Sequence, residues 1–154
     1  MRVADLIAPE AVLPALRATS KKQVLQAVAY HAAGLTGVQE RRVFDVLVER
    51  ERLGTTGVGN GIAIPHGKLT DLDAIRGFFA RLTEPVDFDA IDDQPVDLVC
   101  VLLAPEDAGA DHLKALARVS RLLRDRSVCA KLRERDTADA IHAVLTQASA
   151  GHPA

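Results

Sequence analysis

One segment, apolar except for Asp97, indicates the fold class: Val96-Asp97-Leu98-Val99-Cys100-Val101-Leu102-Leu103. A strand with one face in water alternates between apolar and polar residues, whereas an unbroken apolar run is typical of a strand buried on both faces. The segment therefore predicts a central strand whose sheet is covered by helices on both sides. Cys100 lies in the middle of the run and is expected to be a buried strand residue.

Working outward toward the N-terminus, the chain carries helical patterns and then shorter strand patterns. A first helix is expected to begin at a cap, Thr19 or Ser20, and to stop at Gly34. The other elements predicted before the central strand are a helix at about 39–52 and strands at 62–64 and 73–82.

The chain after the central strand is predicted to be helical. Asp111 is expected to cap a long helix, and Asp136 or Thr137 is expected to cap a last one. The inward stripe of the long helix is predicted to be Leu113, Leu116, Ala117, Ser120 and Leu123. Together these elements predict an α/β fold in which a mixed β-sheet is sandwiched between helices. One domain is expected over residues 1–148, with a flexible tail at 149–154.

Composition and charge exclude several classes of protein. The chain has 154 residues, 48% of them hydrophobic and 26% charged, which is typical of one ordinary globular domain. Its net charge of −2 gives no basic footprint for nucleic acid. The longest apolar run, 98–104, is far shorter than the ~18 residues of a membrane span, and Pro9 and Glu10 interrupt any signal-peptide core. These features predict a cytoplasmic protein with no membrane insertion and no direct contact with nucleic acid.

The residues that suggest chemistry are concentrated in segment 50–68, RERLGTTGVGNGIAIPHGK, which holds a cluster of glycines. A dinucleotide-binding loop needs the spacing G-x-G-x-x-G and must open a helix, but these glycines are spaced G-x-G-x-G and lead into a strand pattern. A P-loop fails as well, because Pro65 removes a donor and Leu69 stands where a metal-binding hydroxyl is required. Both nucleotide-binding motifs are therefore excluded.

Pro65, His66 and Gly67 favour a different chemistry. Pro65 fixes its own backbone and biases Ile64 to an extended conformation, and Gly67 is expected to let the chain turn sharply after the histidine. This would present His66 at the end of a rigid strand as a nucleophilic imidazole. The residues alone leave a second interpretation open, namely a glycine-rich turn before an edge strand with an ordinary surface histidine.

The loop before this strand is expected to supply anion donors. Its amide groups are little obstructed by side chains and could form a concave anion site, to which Arg50 and Lys68 would add positive charge. The residues predicted to form this phosphate-binding loop are Thr56, Gly57, Gly59, Asn60 and Gly61. An imidazole beside anion donors and an arginine indicates phosphoryl chemistry.

Three segments carry a resemblance to a known family: 57–68, 88–98 and His112-Leu113. They resemble the enzyme IIA proteins of the bacterial phosphoenolpyruvate-dependent phosphotransferase system, in the fructose/mannitol class. The likeness covers almost the whole chain and is strongest to the nitrogen-regulatory (PtsN-like) branch. It implies the mannitol-type enzyme IIA fold.

The resemblance also implies roles for individual residues. His66 would accept the phosphoryl group at Nε2 as a neutral imidazole, since a protonated ring has no lone pair to offer. Arg50 would stabilise the charge of the transferred group, and His112 would be a neutral hydrogen-bonding partner near a helix N-terminus. Lys68 would contact either the phosphate or a partner protein. No metal and no cofactor are expected.

Three functions are compatible with these residues. The favoured one is a regulatory phosphocarrier, which receives its phosphoryl group from a phosphohistidine on an HPr-type carrier and controls target proteins by its phosphorylation state. The alternative is a sugar-transport enzyme IIA that relays phosphate to a IIB domain. The third is a binding domain whose histidine is never phosphorylated. Targets such as potassium transport systems or sensor kinases are implied for the family, but no residue here selects among them.

Overall fold

The computed structural model describes residues 2–150. Its central strand is β6, Val96–Pro105, in which every residue from Leu98 to Ala104 is buried. Burial of consecutive residues requires cover on both faces, because neighbouring side chains of a strand point to opposite sides. The prediction of a doubly covered strand is confirmed, and Cys100, which is 1% exposed, is the buried strand residue expected.

The sheet is mixed, as the sequence predicted. Its strands are β1 (Val12–Leu16), β2 (Gly57–Gly59), β3 (Ile62–Ala63), β4 (His66–Leu69), β5 (Arg76–Val86) and β6. They lie in the order β1-β5-β6-β3-β2, with β4 also paired to β6. Strand β5 runs antiparallel to β6, whereas β3 and β4 run parallel to it. Strand β6 therefore has a neighbour on each side along its length.

Helices cover both faces of this sheet. They are α1 (Val3–Leu6), α2 (Lys21–Thr36), α3 (Glu40–Leu53), α4 (Ala110–Leu123), α5 (Arg126–Glu134) and α6 (Ala138–Ala150). His66, Leu102 and Gly77 form one row across the sheet, and Gly77 packs against Ile7, next to α1. Gly67 is the neighbour of His66 and therefore faces the other side, where it packs against Val46 of α3. The α/β sandwich is confirmed.

The first predicted helix ends later than expected. Ser20 is the N-cap of α2 and its hydroxyl accepts a hydrogen bond from the Gln23 amide, as a serine cap should. The predicted stop at Gly34 is wrong, because the helix continues to Thr36. It ends at Gly37, whose φ of 80° places it in the left-handed conformation that terminates helices.

The start and the phase of α4 also differ from prediction. Gly109 rather than Asp111 is the N-cap, so Asp111 lies within the first turn. The buried residues are His112, Ala115, Val119, Leu122 and Leu123. Leu113, predicted to face inward, is 67% exposed. Because His112 itself is buried, the helix is rotated by about one residue from the predicted stripe, and only Leu123 is common to both sets.

The last helix agrees with its predicted cap. The Thr137 hydroxyl accepts a hydrogen bond from the Ala140 amide at 3.2 Å, and Ile141, Val144 and Leu145 are buried as expected. Helix α6 continues to Ala150, and residues 151–154 of the predicted tail lie outside the described residues. Between residues 2 and 150, no helix has the length and apolar character needed to cross a bilayer.

Candidate active site

His66 follows an interruption in a strand. Strands β3 and β4 lie in line along β6 and are separated by Ile64 and Pro65. The Leu102 amide of β6 donates to the Pro65 carbonyl at 3.0 Å, so the register is kept across the interruption. His66 is the first residue of β4 and pairs with Leu102. Its backbone is therefore fixed by the most buried strand of the protein.

Gly67 has a different role from the one predicted. It lies in extended backbone within β4, so the expected sharp turn after the histidine is wrong. A Cβ at this position would lie 2.2 Å from Cγ1 of Val46 in α3. The glycine is required because α3 packs directly against the strand, and this packing brings the end of α3 close to His66.

The His66 ring is oriented by its own backbone. Nδ1 lies 2.8 Å from the Ile64 carbonyl, which can only accept, so Nδ1 carries the ring proton. Nε2 is then the nitrogen that carries the lone pair in the ring plane. The half-buried position of the ring lowers the pKa of His66, and the Arg50 cation lowers it further, while the Ile64 carbonyl and Glu51 act in the opposite direction. The neutral tautomer with a nucleophilic Nε2 is favoured.

Arg50 approaches this nucleophilic nitrogen from the last turn of α3. Its Nε–H donates to Nε2 of His66 at 3.2 Å, and its Nη1 donates to the Gly54 carbonyl at 2.8 Å. Nη2 makes no hydrogen bond within the part of the chain that the structure describes. A planar guanidinium held in this way keeps a donor close to the position where a phosphoryl group on Nε2 would lie.

His112 faces His66 from the first turn of α4. It is 6% exposed, and its ring centroid lies 5.7 Å from that of His66, with the two planes tilted by 53°. Burial is the main cause that lowers its pKa, followed by the neighbouring His66 and Lys68. Its buried Nδ1 makes no hydrogen bond to any residue among 2–150. Buried polar atoms without a protein partner are rare, and a functional role is one explanation for them.

Lys68 lies two residues beyond His66 in β4. It is exposed, and strand alternation puts it on the same face as His66, which is also the face toward α4. Its charge is close enough to His112 to lower that residue's pKa. The structure therefore brings together four of the predicted residues: His66, Arg50, His112 and Lys68.

The glycine cluster forms a hairpin rather than an open anion-binding loop. Strands β2 and β3 are joined by Asn60 and Gly61, with φ values of 57° and 80°, the pattern of a two-residue type I′ turn. Gly57 is needed because a Cβ there would lie 2.8 Å from that of Ala90. Gly59, at the other end of β2, has a φ of 102°. Packing and turn geometry therefore explain these glycines.

Three of the amides expected to bind an anion already donate to protein oxygens. The Thr56 amide donates to the Glu51 carboxylate at 2.9 Å, the Gly57 amide to the Thr55 hydroxyl at 3.0 Å, and the Asn60 amide to the Asp92 carboxylate at 2.9 Å. The predicted concave site of free amides is therefore wrong for these three residues, whose amides are already hydrogen-bonded within the protein.

The turn of the hairpin is held by residues outside the site. Arg133 of α5 donates to the Asn60 carbonyl at 2.8 Å and forms an ion pair with Asp97 at 2.8 Å, while the Asp97 amide donates to the Gly61 carbonyl. No described contact links Asn60 or Gly61 to His66.

Sequence reasoning missed one residue of the site, Glu51. Its side chain is 6% exposed, and its carboxylate accepts from both the amide and the hydroxyl of Thr56 and forms an ion pair with Lys21 at 3.3 Å. The charged run around it, Arg50-Glu51-Arg52, is typical of a solvated helix end. The signal that could have identified it is its position next to Arg50 and five residues before Thr56.

A fixed His66 tautomer beside a guanidinium is suited to attack by Nε2 on a phosphoryl group. The chain belongs to the family described as phosphoenolpyruvate-dependent sugar phosphotransferase system, EIIA 2, whose profile matches residues 5–148. Proteins of this family are phosphotransferases that act through a phosphohistidine.

Individual relatives agree with this assignment. The chain is 63% identical over 145 residues to a nitrogen regulatory protein of Bradyrhizobium diazoefficiens, covering 94% of this chain and 95% of the relative. The crystal structure of nitrogen regulatory protein IIA-Ntr from Neisseria meningitidis superposes with a TM-score of 0.88 at 32% identity, covering 94% of this chain and 99% of the other. Mannitol IIA of Escherichia coli, at 23% identity, shares the fold with a TM-score of 0.75 over 90% of this chain and 97% of its own.

Proposed function

We propose that this protein is a regulatory phosphocarrier that accepts a phosphoryl group on Nε2 of His66 from the phosphohistidine of an HPr-type carrier. The observation that carries the proposal is the 2.8 Å hydrogen bond between Nδ1 of His66 and the Ile64 carbonyl. It assigns the proton to one ring nitrogen and the lone pair to the other before any partner arrives.

The transfer is an in-line exchange between two histidines. The lone pair on Nε2 of His66 forms the new N–P bond as the N–P bond of the donor breaks, and that electron pair returns to the donor nitrogen. Charge on the equatorial oxygens needs positioned donors rather than covalent chemistry. Arg50 must first withdraw its Nε–H from Nε2, and it then donates to a phosphoryl oxygen while Nη1 stays on the Gly54 carbonyl.

His112 and Lys68 supply the remaining polar groups in this proposal. His112 is buried beside the His66 ring, so a hydrogen bond from it to the phosphoryl group would be shielded from water. Lys68 is exposed and can contact either the phosphoryl group or an acidic residue of a partner. Both interpretations of Lys68 remain predictions.

The surface around the site suits docking of another protein. Four large apolar side chains are exposed in segments that build the site or the adjoining hairpin: Leu53, Val58, Ile91 and Leu113. Exposed apolar side chains around polar reacting groups are typical of a protein–protein interface. This supports a protein donor such as an HPr-type carrier.

Regulation rather than sugar transport is favoured by the relatives. The 63% identical relative is named a nitrogen regulatory protein, and the structure with a TM-score of 0.88 carries the same description. A phosphoryl group adds about −1.5 to −2 charge to a docking surface and can change partner binding without a change of fold. Targets in potassium transport or among sensor kinases, transfer to a IIB domain, and a cytoplasmic location remain predictions.

The test is reconstitution with phosphoenolpyruvate, enzyme I and an HPr-type carrier, followed by intact-mass measurement. We expect the mass to rise by one phosphoryl group in the wild type and in His31→Ala, a matched control whose ring contacts only the Glu10 carbonyl among the described hydrogen bonds. His66→Ala should show no increase. Phosphorylation that persists in His66→Ala would contradict the assignment.

A second step separates regulation from sugar transport. The purified phosphorylated protein is mixed with a fructose- or mannitol-type IIB domain, and loss of the phosphoryl mass is followed over time. Slow or absent transfer is expected for a regulatory carrier. Transfer as fast as the loading reaction would favour the sugar-transport alternative.

A further inference from the structure

We propose that Glu51 is a positioning residue for phosphoryl transfer, whose carboxylate fixes the 54–56 loop so that the Arg50 guanidinium, anchored to the Gly54 carbonyl, stays beside His66 where the transferred phosphoryl group arrives. The inference rests on the proposed function and names a group that does not itself touch the phosphoryl group. It concerns a carboxylate that is 6% exposed at the end of α3, directly after Arg50 in the chain.

Hydrogen bonds connect Arg50 and Glu51, at the end of α3, to the 54–56 loop that follows them. Arg50 is anchored through Nη1 to the Gly54 carbonyl, so the position of its guanidinium depends on where the loop lies. The loop in turn is held two residues later, where the amide and the hydroxyl of Thr56 both donate to Glu51. Helix α3 thus binds the loop twice, with adjacent residues, and the guanidinium lies between that loop and His66.

Burying a carboxylate costs desolvation free energy, so a buried carboxylate that only held a loop would be unfavourable unless its charge were compensated. Removing a carboxylate from water is unfavourable and must be offset by donors and by an opposite charge. Glu51 has both, because Lys21 of α2 lies 3.3 Å from its carboxylate. Lys21 is itself fixed by Asp89 at 3.1 Å and lies 5.5 Å from the centre of the Phe88 ring.

The charge of Glu51 also acts on the nucleophile. Arg50 next to His66 lowers the pKa of the ring, and Glu51 raises it, so the carboxylate offsets part of the effect of the guanidinium. A neutral side chain at this position would not offset the guanidinium in this way. The amide of glutamine has the same shape but only one acceptor oxygen, so it cannot accept both Thr56 donors and pair with Lys21.

The experiment compares Glu51→Gln with the matched control Glu49→Gln. Glu49 lies on the same helix, but its side chain is 71% exposed and pairs only with Arg52 in the described contacts. Transfer from a phosphorylated HPr-type carrier is measured as kcat and KM. We expect kcat of Glu51→Gln to fall by about tenfold or more with KM within about twofold, because a misplacement of ~1 Å can slow a reaction by on the order of 100-fold.

Two spectroscopic readouts separate positioning from general structural damage. The Arg50 Nε–H signal should lose its coupling to His66 Nε2 in Glu51→Gln, and the pKa of His66 should fall because a neighbouring negative charge is gone. Thr56→Val removes only the hydroxyl donor and keeps the hydrogen bond from the backbone amide of residue 56 to Glu51. It should give a smaller loss of kcat and keep the proposal testable if Glu51→Gln fails to fold.

The outcomes that overturn the proposal are distinct. A kcat of Glu51→Gln within twofold of wild type, an equal loss in Glu49→Gln, or a slow variant with an unchanged Arg50 signal would each exclude a positioning role. Loading of the wild type on His66 is measured in the same assay. If the wild type is not loaded, the proposed function fails first, and the two failures cannot be confused.

Discussion

The two halves of segment 57–69, the hairpin of β2 and β3 and the strand β4, differ in what they contact, although in the sequence they form one glycine-rich motif. The hairpin of β2 and β3 is ordered by turn geometry and by contacts to Asp92, Asp97 and Arg133. Strand β4 is ordered by β6 and carries His66, which contacts Arg50 and lies against His112. One glycine cluster therefore contains a hairpin that packing and turn geometry explain, followed by a strand that carries the proposed nucleophile.

The largest effect that tests this division is expected for Gly67→Val in the β4 half. The new side chain would overlap Val46, whose Cγ1 lies 2.2 Å from the position of a Cβ, so α3 must move away from the strand. We expect the free energy of unfolding to fall by about 3 kcal/mol, as for severe overpacking. Urea denaturation measures it.

The control for this substitution is Gly34→Ala on the exposed side of α2. No atom lies within 4 Å of a Cβ there, and alanine is the better helix former by about 1 kcal/mol. A small gain in stability is expected. If Gly67→Val were tolerated as well as Gly34→Ala, the close packing of α3 on β4 would be refuted.

The next effect concerns Arg50, which links α3 to Nε2 of His66, the proposed nucleophile. Arg50→Ala should slow phosphoryl transfer by about 100-fold without unfolding the protein, since one positioned donor to a charged transition state contributes on that scale. The matched control is Arg52→Ala, whose side chain is 71% exposed and pairs with Glu49. Quenched-flow kinetics of loading measure both, and a wild-type rate for Arg50→Ala would remove Arg50 from the mechanism.

A moderate effect is expected in the hairpin half, where a substitution should lower stability but leave the rate of phosphoryl transfer nearly unchanged. Gly61→Ala places a side chain at a φ of 80° and within 2.8 Å of the Asp97 carboxylate, which should reduce the free energy of unfolding by about 2 kcal/mol. The kcat for phosphoryl transfer should stay within about twofold. If kcat fell while stability was unchanged, the hairpin would belong to the chemical site after all.

The smallest effect is the pH dependence, which should differ between the two halves. Burial lowers the pKa of His66 and of His112, so below about 6.5 the unfolded chain binds more protons than the folded one. The free energy of unfolding should therefore fall as the pH drops through this region. Transfer should be lost at a lower pH, where the folded His66 becomes protonated.

In the hairpin half, the group expected to titrate is Asp92. Hydrogen bonds from the Asn60 and Gln94 amides lower the pKa of Asp92, so its contribution is present above about 3.9 and is lost as the pH falls through the lower folded value. NMR titration of Asp92 and of the two histidines, His66 and His112, checks that the histidines are protonated at a higher pH than Asp92. Loss of the hairpin contacts before protonation of the histidines would contradict the division.

Many of the helices and strands could be predicted from the sequence, because the patterns that indicate them lie within a few consecutive residues. The run 98–104 is apolar on both faces and therefore identifies the central strand. Ser20 and Thr137 cap helices for reasons visible within four residues. The end of α2 was less readable, because Gly34 and Gly37 are both plausible stops and only the left-handed backbone at Gly37 distinguishes them.

The candidate site was readable as a set of residues but not as a set of contacts. The phase of α4 could not be predicted, since burying His112 runs against its polarity and exposing Leu113 runs against its apolar character. The role of Gly67 depends on Val46, which is twenty-one residues away in the chain and adjacent only after α3 packs. Glu51 was hidden for the same reason, because its partner Lys21 comes from another helix.

The bond from Nδ1 of His66 to the Ile64 carbonyl has a consequence for the direction of phosphate flow. It is formed within three consecutive residues and needs no group from another molecule. The ring is therefore in the same tautomer whether a donor or an acceptor is docked, and neither partner has to rearrange a proton first. In the proposed transfer the same tautomer of His66 serves loading and unloading, because the forward and reverse reactions pass through the same transition state.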